Sequence, residues 1–123
     1  MRTTVIGRSL VIGKPVAMML LKRNATVTVC HTRTKDMARE IRRAELVIAA
    51  AGQPKMVTAD MLREGQILLD VGVNVDDEGN LCGDTDWEAA EEMDLLITPV
   101  PGGIGTVTSS ILMKHVIESA ERK

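Results

Sequence analysis

The sequence predicts an α/β fold of three layers, in which helices cover both faces of a mostly parallel sheet of about five main strands. Short β-branched or apolar runs alternate with helical segments over the first fifty residues, as in parallel strands joined by crossover helices. The first run leads into an apolar helix through a loop with a glycine at each end, Gly7 and Gly13. Together these features predict a doubly wound, Rossmann-like sheet that binds its ligand beyond the carboxyl ends of the strands.

Length and composition predict one domain and exclude several classes of partner. The 123 residues suffice for one core, so we expect residues 1–123 to form a single nucleotide-binding domain. A formal net charge of −2 lacks the excess of positive charge that is typical of proteins that bind nucleic acid or a membrane surface. No apolar run is long enough to cross a bilayer. Cys30 and Cys82 lack the spacing of a zinc site or a disulfide framework, which predicts no metal and a cytoplasmic location. The first strand starts close to Met1, as in the second half of a longer protein.

The first half of the chain is predicted to contain three strands and two helices. The strands, recognised by their β-branched and apolar residues, cover residues 3–6, 25–30 and 46–50. Pro15 suits the first position of a helix that runs to Arg23, and Asn24 is predicted to end it in a left-handed conformation. Thr34 is predicted to cap a short charged helix over 35–44.

The second half is less regular. Thr58 is predicted to cap a single turn, and a fourth buried strand follows over 67–71. The polar run 76–80 is typical of a hairpin tip, and Thr85 has the spacing of a capping box that starts another helix. A fifth strand, a loop and a last helix that starts at Thr106 or Thr108 complete the chain. The last helix carries one apolar stripe, formed by Leu112, Met113, Val116, Ile117 and Ala120.

The loop from Gly7 to Gly13 is predicted to bind phosphate, because the amides and positive dipole end of the following helix face it. It departs from the ATPase motif, since five residues separate its glycines and Lys14 is followed by Pro15. It also lacks the central glycine of the dinucleotide fingerprint, which Ser9 replaces. The spacing favours a dinucleotide over ATP, and an ordinary strand-to-helix turn stays open as the alternative.

Residues that follow the second strand favour NADP over NAD. A NAD site usually holds an acidic residue there to bind the ribose 2′-hydroxyl, and none is present. Thr32 and Arg33, with Arg8 across the loop, offer donors and positive charge suited to a 2′-phosphate. The alternative is that both arginines are solvated surface side chains.

Four motifs, over residues 5–15, 24–34, 70–74 and 98–105, together resemble the bifunctional methylenetetrahydrofolate dehydrogenase/methenyltetrahydrofolate cyclohydrolase family. The resemblance covers the whole chain, but only the C-terminal NADP-binding domain of that family. It implies an enzyme that oxidises 5,10-methylenetetrahydrofolate with NADP and hydrolyses the methenyl product to 10-formyltetrahydrofolate. It thereby implies a place in one-carbon metabolism and purine biosynthesis.

The resemblance also implies roles for individual residues. The family's cofactor loop corresponds to Gly7, Arg8 and Ser9, with Arg8 placed to hold the 2′-phosphate. Thr32 stands where the family usually has a Ser that contacts the same phosphate, and Val73 matches an aliphatic residue whose backbone meets the nicotinamide. The loop that closes over cofactor and folate matches Pro101, Gly102, Gly103, Ile104 and Gly105. The run 106–108 departs from the family's Pro-Met-Thr, which we expect to change loop stiffness more than chemistry.

The proton-handling residues of this family are absent from the chain. The family's general acid/base is a Lys in a Tyr-x-x-x-Lys motif of an N-terminal domain, and this chain has no Tyr. The resemblance therefore implies no catalytic residue here, a folate cleft shared with a missing N-terminal domain, and a homodimer for the complete enzyme. Two alternatives stay open: a free-standing NADP-binding regulatory module, and the cofactor domain of another two-domain dehydrogenase, such as one acting on shikimate-type substrates.

Three further features are predicted to be structural. His31 follows a strand directly and is interpreted as a turn residue. Asp70 ends a buried strand and is expected to bind loop amides rather than act as a base. The eight methionines are expected to fill a core that has one Trp and no Phe or Tyr, and not to form a binding groove.

Overall fold

A computed structural model describes residues 1–8 and 12–121 of the chain. Its strands are β1 (Arg2–Ile6), β2 (Thr26–Cys30), β3 (Leu46–Ala49), β4 (Ile67–Asp70), β5 (Asn74–Val75), β6 (Leu81–Cys82) and β7 (Leu96–Ile97). The central sheet is parallel throughout, with the strand order β2-β1-β3-β4-β7, and β5 pairs with β6 in a separate antiparallel hairpin. The five parallel strands and the hairpin tip between β5 and β6 confirm the predicted sheet.

Helices cover both faces of this sheet, which confirms the three-layer arrangement. They are α1 (Gly13–Lys22), α2 (Met37–Arg43), α3 (Trp87–Ala90) and α4 (Ile104–Glu121), with a 3₁₀ turn over Ala59–Met61. Successive residues of a strand point to opposite faces, so Val5 packs with Ala17 of α1 whereas Ile6 packs with Ile41 of α2. All four side chains are nearly or fully buried, and they belong to two separate cores on the two faces.

The strand order places a ligand-binding crevice between β1 and β3. The chain passes from β1 to β2 on one side and then crosses to β3 on the other, so the direction of strand addition reverses there. Parallel pairing sets Ile6 beside both Cys30 and Ala49, which brings the carboxyl ends of these three strands to one edge. In sheets of this class the ligand lies at that edge, next to the reversal.

The first two helices differ from the prediction mainly at their starts. α1 begins at Gly13, two residues before the predicted Pro15, and Asn24 ends it with the expected positive φ of 65°. The cap predicted for the second helix was wrong. α2 begins at Met37, and the carboxylate of Asp36 accepts from its first turn, because the Thr34 hydroxyl is already engaged by a tighter turn at the end of β2.

The later predicted helix starts were also wrong. The expected capping box at Thr85 does not form: Asp86 is the N-cap residue of α3, and Thr85 is buried with its hydroxyl unpartnered among the described residues. α4 begins at Ile104, before either predicted threonine. The Thr106 hydroxyl donates instead to the carbonyl of Gly103, inside the first turn.

The apolar stripe of α4 lies in solvent. None of the residues of α4 is buried, and four members of the stripe are more than half exposed: Leu112, Met113, Val116 and Ile117. Helices in the described part of the chain are all too short or too polar to span a bilayer. An amphipathic helix with an uncovered stripe indicates a surface that packs against something outside this sheet.

Candidate cofactor-binding site

The turn from β1 into α1 is shaped by two glycines. Gly7 has a φ of +116°, and its amide donates to the carbonyl of Cys30 at 2.8 Å. A Cβ on Gly7 would overlap the carbonyl of Ala50, and a Cβ on Gly13 would overlap the carbonyl of Gly7. The amino end of α1, with its positive dipole end, therefore lies against the end of β1, at the ligand-binding edge of the sheet. Ser9, the third residue predicted for this loop, lies outside the described residues.

A first cavity of about 450 Å³ lies beyond the ends of β1, β2 and β3. It brings together three of the predicted cofactor residues, Gly7, Arg8 and Thr32. Arg33 is not among its lining residues; it is exposed, and its amide donates to Nδ1 of His31 at 3.2 Å. The cavity is lined by no acidic residue in the described part of the chain, so the usual partner of a free ribose 2′-hydroxyl is missing there.

His31 organises the turn that presents Thr32 to this cavity. Its amide donates to Oγ1 of Thr34 at 2.8 Å, and its carbonyl accepts from the amide of Thr34 at 2.9 Å. Because Nδ1 also accepts from Arg33, the imidazole is part of the turn, as the sequence indicated. Beneath it, burial raises the pKa of the Cys30 thiol, and the charge of Glu40 raises it further against the opposing hydrogen bond from Thr34.

One wall of the first cavity is apolar and was not predicted. Met37 and Met56 line it and also pack against the core on the α2 side of the sheet. Methionine adapts to flat ring systems, so this wall suits the face of a purine next to the phosphate-binding groups. The prediction that no methionine lines a groove is therefore wrong for Met37 and Met56. The prediction that the methionines fill the core is wrong for four others, which are at least 60% exposed: Met1, Met18, Met19 and Met113.

A second cavity of about 520 Å³ lies between the end of β4 and the start of α4. It contains the remaining predicted site residues: Val73, Pro101, Gly102, Gly103, Ile104 and Gly105. Gly102 has a φ of +101°, which side chains other than glycine rarely adopt. Ile104 and Gly105 belong to the first turn of α4 rather than to a loop, because the helix starts earlier than predicted.

Asp70 supports the wall of the second cavity through backbone amides, as the sequence predicted. Its Oδ1 accepts from the amides of Gly72 and Asp84 at 3.0 and 3.1 Å, and its Oδ2 accepts from the amide of Thr85 at 3.0 Å. The carboxylate is 3% exposed, and its oxygens are used in these bonds. Over residues 1–8 and 12–121, His, Cys, Asp and Glu side chains form no group of three that could hold a metal ion.

Comparison with known proteins decides the family. The model of the family described as "Tetrahydrofolate dehydrogenase/cyclohydrolase, NAD(P)-binding domain" matches residues 1–123. The chain belongs to this family. It is 50% identical over 120 residues to the bifunctional protein FolD of Clostridioides difficile strain 630, a match that covers 98% of this chain and 42% of that protein. The corresponding protein of Burkholderia orbicola is 53% identical over 118 residues, covering 96% of this chain and 41% of the relative.

Solved structures agree with this assignment. The bifunctional FolD enzyme of Campylobacter jejuni superimposes with a TM-score of 0.89 at 42% identity, over 98% of this chain and 43% of that one. The Trypanosoma brucei enzyme, solved with NADP and an inhibitor, gives a TM-score of 0.85 at 38% identity, over 98% and 43% of the two chains. The chain thus spans about two fifths of the length of these relatives. The family assignment confirms the resemblance drawn from the four motifs and excludes the shikimate-type alternative.

Proposed function

We propose that the chain binds NADP along the carboxyl edge of its sheet, with the adenosine half in the first cavity and the nicotinamide half in the second. The observation that carries this proposal is the meeting of Arg8 and Thr32 in one cavity that also has an apolar wall. A guanidinium and a hydroxyl suit a 2′-phosphate, and the methionine wall suits adenine. Family membership supports the same cofactor class.

The individual contacts follow from this placement. Gly7 binds phosphate at the turn into α1, and Ser9, which lies outside the described residues, is assigned to the same phosphate by the family resemblance alone. Arg33 belongs to the turn with His31 and adds positive charge without lining the first cavity. Val73 meets the nicotinamide through its backbone at the wall of the second cavity. Residues 101–105 close over both the cofactor and a folate, since glycines let the backbone approach flat rings closely.

The complete enzyme is proposed to oxidise 5,10-methylenetetrahydrofolate to the methenyl form and to hydrolyse that product to 10-formyltetrahydrofolate. This chain acts as its cofactor domain and has no catalytic residue of its own, because a sequence without Tyr cannot contain the family's Tyr-x-x-x-Lys motif. The missing portion, more than half of the length of the relatives, provides that motif and the other side of the folate cleft. The uncovered stripe on α4 supports this arrangement over a free-standing regulatory module.

The assembly and cellular role are proposed on the family resemblance alone. The complete enzyme forms a homodimer in the cytoplasm, and its product enters one-carbon metabolism and purine biosynthesis.

The placement of the two cofactor halves is tested by NMR titration of the chain with two fragments of NADP. Adenosine 2′,5′-bisphosphate is expected to shift the amide signals of Gly7 and Thr32, and nicotinamide mononucleotide those of Val73 and Gly103. The amide of Ser119, near the far end of α4, is the internal control and stays in place. Shifts of the same amides by both fragments, or none near Gly7 and Thr32, would contradict the proposal.

A further inference from the structure

A fully buried carboxylate lies behind the first cavity. Asp84 is 0% exposed, and its Oδ2 accepts from the amides of Ala51 and Gly52 at 2.7 and 3.2 Å. Its Oδ1 accepts from the amide of Gln53 at 3.1 Å. Three consecutive amides of one segment therefore converge on a single side chain that is more than thirty residues away in sequence.

The position of Asp84 is itself fixed from the other side. Its own amide donates to Asp70 at 3.1 Å, and Nδ2 of Asn74 donates to its Oδ1 at 2.9 Å. A Cβ on Gly72 would overlap the carboxylate, so the glycine there makes room for it. Asp84 thus connects the end of β4, through its backbone amide, with the segment that follows β3, through its carboxylate.

The segment held by Asp84 forms part of the first cavity. Ala51, Gln53 and Met56 all line that cavity. A second attachment lies further along, where the amide of Val57 donates to the carbonyl of Asp84 at 2.8 Å. The stretch from 51 to 57 is therefore bound to Asp84 at both of its ends, and Gln53 and Met56, which lie between these ends, line the first cavity.

Core packing does not by itself set the shape of this stretch. Residues 52–55 are all exposed, and a Cβ at Gly52 would have no atom within 4 Å. Gly52 and Lys55 both have positive φ angles, 69° and 55°. A segment that is exposed and bent in this way needs polar contacts to keep one conformation, and the converging bonds to Asp84 are the ones present at its start.

We propose that Asp84 is a positioning residue for the adenosine half of the cofactor, acting through the backbone of residues 51–53. This inference rests on the proposed binding of NADP in the first cavity. A carboxylate is needed because it only accepts, and four donors meet its two oxygens. An amide of the same shape would turn its own donor toward at least one of these N–H groups and release part of the cavity wall.

The test compares Asp84→Asn with Asp76→Asn in calorimetric titrations with adenosine 2′,5′-bisphosphate. Asp76 is a matched control, because its carboxylate also accepts two backbone amides, those of Glu78 and Asn80, but at the hairpin tip. Asp84→Asn is expected to weaken binding by about tenfold or more, whereas Asp76→Asn stays within about twofold. A folded Asp84→Asn variant that binds as tightly as the unmodified chain would overturn the inference and reduce Asp84 to a purely structural role.

A second measurement keeps the inference testable if Asp84→Asn does not fold. Hydrogen exchange of the unmodified chain without nucleotide is expected to show protected amides at Ala51, Gly52 and Gln53, although the latter two residues are exposed. Exchange at the rate of a free loop would overturn the inference. An unmodified chain that shows this protection but does not bind the bisphosphate would instead contradict the proposed function, so the two failures are distinguishable.

Discussion

The backbone of Ala50 occupies the space that a side chain on Gly7 would need, since a Cβ on Gly7 would lie 2.9 Å from the carbonyl carbon of Ala50. Gly7 follows β1 and Ala50 follows β3, so this contact brings the ends of these two strands together at the point where the strand order reverses. The same contact places the start of the turn that we propose to bind phosphate beside the wall held by Asp84. The shape of the candidate site therefore depends on a residue that can have no side chain.

Replacing Gly7 with alanine is expected to destabilise the chain strongly. The variant combines an unfavourable φ of +116° with a backbone overlap, which together cost about 2–5 kcal/mol of the free energy of unfolding. Gly65→Ala is the matched control, because Gly65 also has a positive φ, of 84°, but its Cβ would meet no atom within 4 Å. It should lose only about 1–2 kcal/mol. Urea denaturation measures both, and equal losses would mean that the Ala50 contact is unimportant.

Cys30 is expected to remain unreactive in the folded chain. Its side chain is fully buried and its thiol pKa is raised, whereas Cys82 is partly exposed. Iodoacetamide should therefore modify Cys82 first, and Cys30 only on unfolding. Mass spectrometry of the modified peptides would contradict this account if both thiols reacted at one rate under native conditions.

The raised pKa of the Cys30 thiol should make the folded chain less stable in alkaline solution. An unfolded Cys ionises near pH 8.5, and the folded Cys30 thiol ionises at a higher pH, so the folded state binds its proton more tightly. The contribution of this thiol to the free energy of unfolding is fully present below about pH 8.5, and it is lost as the pH rises through the pKa of the folded state. Denaturation of the chain and of Cys30→Ala across this range measures the effect. A parallel decline in both proteins would show that Cys30 does not cause it.

The strands, and the grouping of the candidate site residues at the carboxyl edge of the sheet, could be predicted because their signals are local. A β-branched run such as Thr26–Cys30 extends wherever it is placed in a sheet, and the ends of parallel strands meet at one edge. That rule predicts that Gly7, Arg8 and Thr32 lie together at this edge. It also predicts that Asp70, at the end of β4, binds the amides that follow it. These predictions needed only the positions of the strands along the chain and the expectation that they pair in parallel.

The failures involve residues whose hydrogen bonds and burial are not indicated by the pattern of the sequence. Thr34 and Thr85 are both of a residue type that often caps helices. The hydroxyl of Thr34 instead accepts from the amide of His31, and Thr85 is buried where its amide donates to Asp70. Met56 lines the first cavity, and Asp84 supports its wall from behind, only because the segment after β3 folds back onto the residues before α3. No spacing in the sequence indicates that contact.

The chain alone is expected to catalyse neither reaction of its family. Incubation with NADP and 5,10-methylenetetrahydrofolate should produce no absorbance of the reduced cofactor, because hydride transfer needs the folate held against the nicotinamide in a cleft shared with the N-terminal domain. Hydrolysis of the methenyl form should also be absent, because the chain has no Tyr-x-x-x-Lys motif to handle protons. The full-length Campylobacter jejuni enzyme, assayed in parallel, is the positive control. Measurable turnover by the chain would show that catalytic groups lie within residues 1–123.

The most direct test of NADP binding is a calorimetric comparison of NADP with NAD for the unmodified chain, Arg8→Ala and Arg23→Ala. Arg23 is an exposed control at the other end of α1. The unmodified chain and the control should prefer NADP, and Arg8→Ala should lose about tenfold or more in NADP affinity while its NAD affinity stays within about twofold. Equal losses for the two cofactors, or no binding of NADP by the unmodified chain, would contradict a 2′-phosphate site at Arg8 and Thr32.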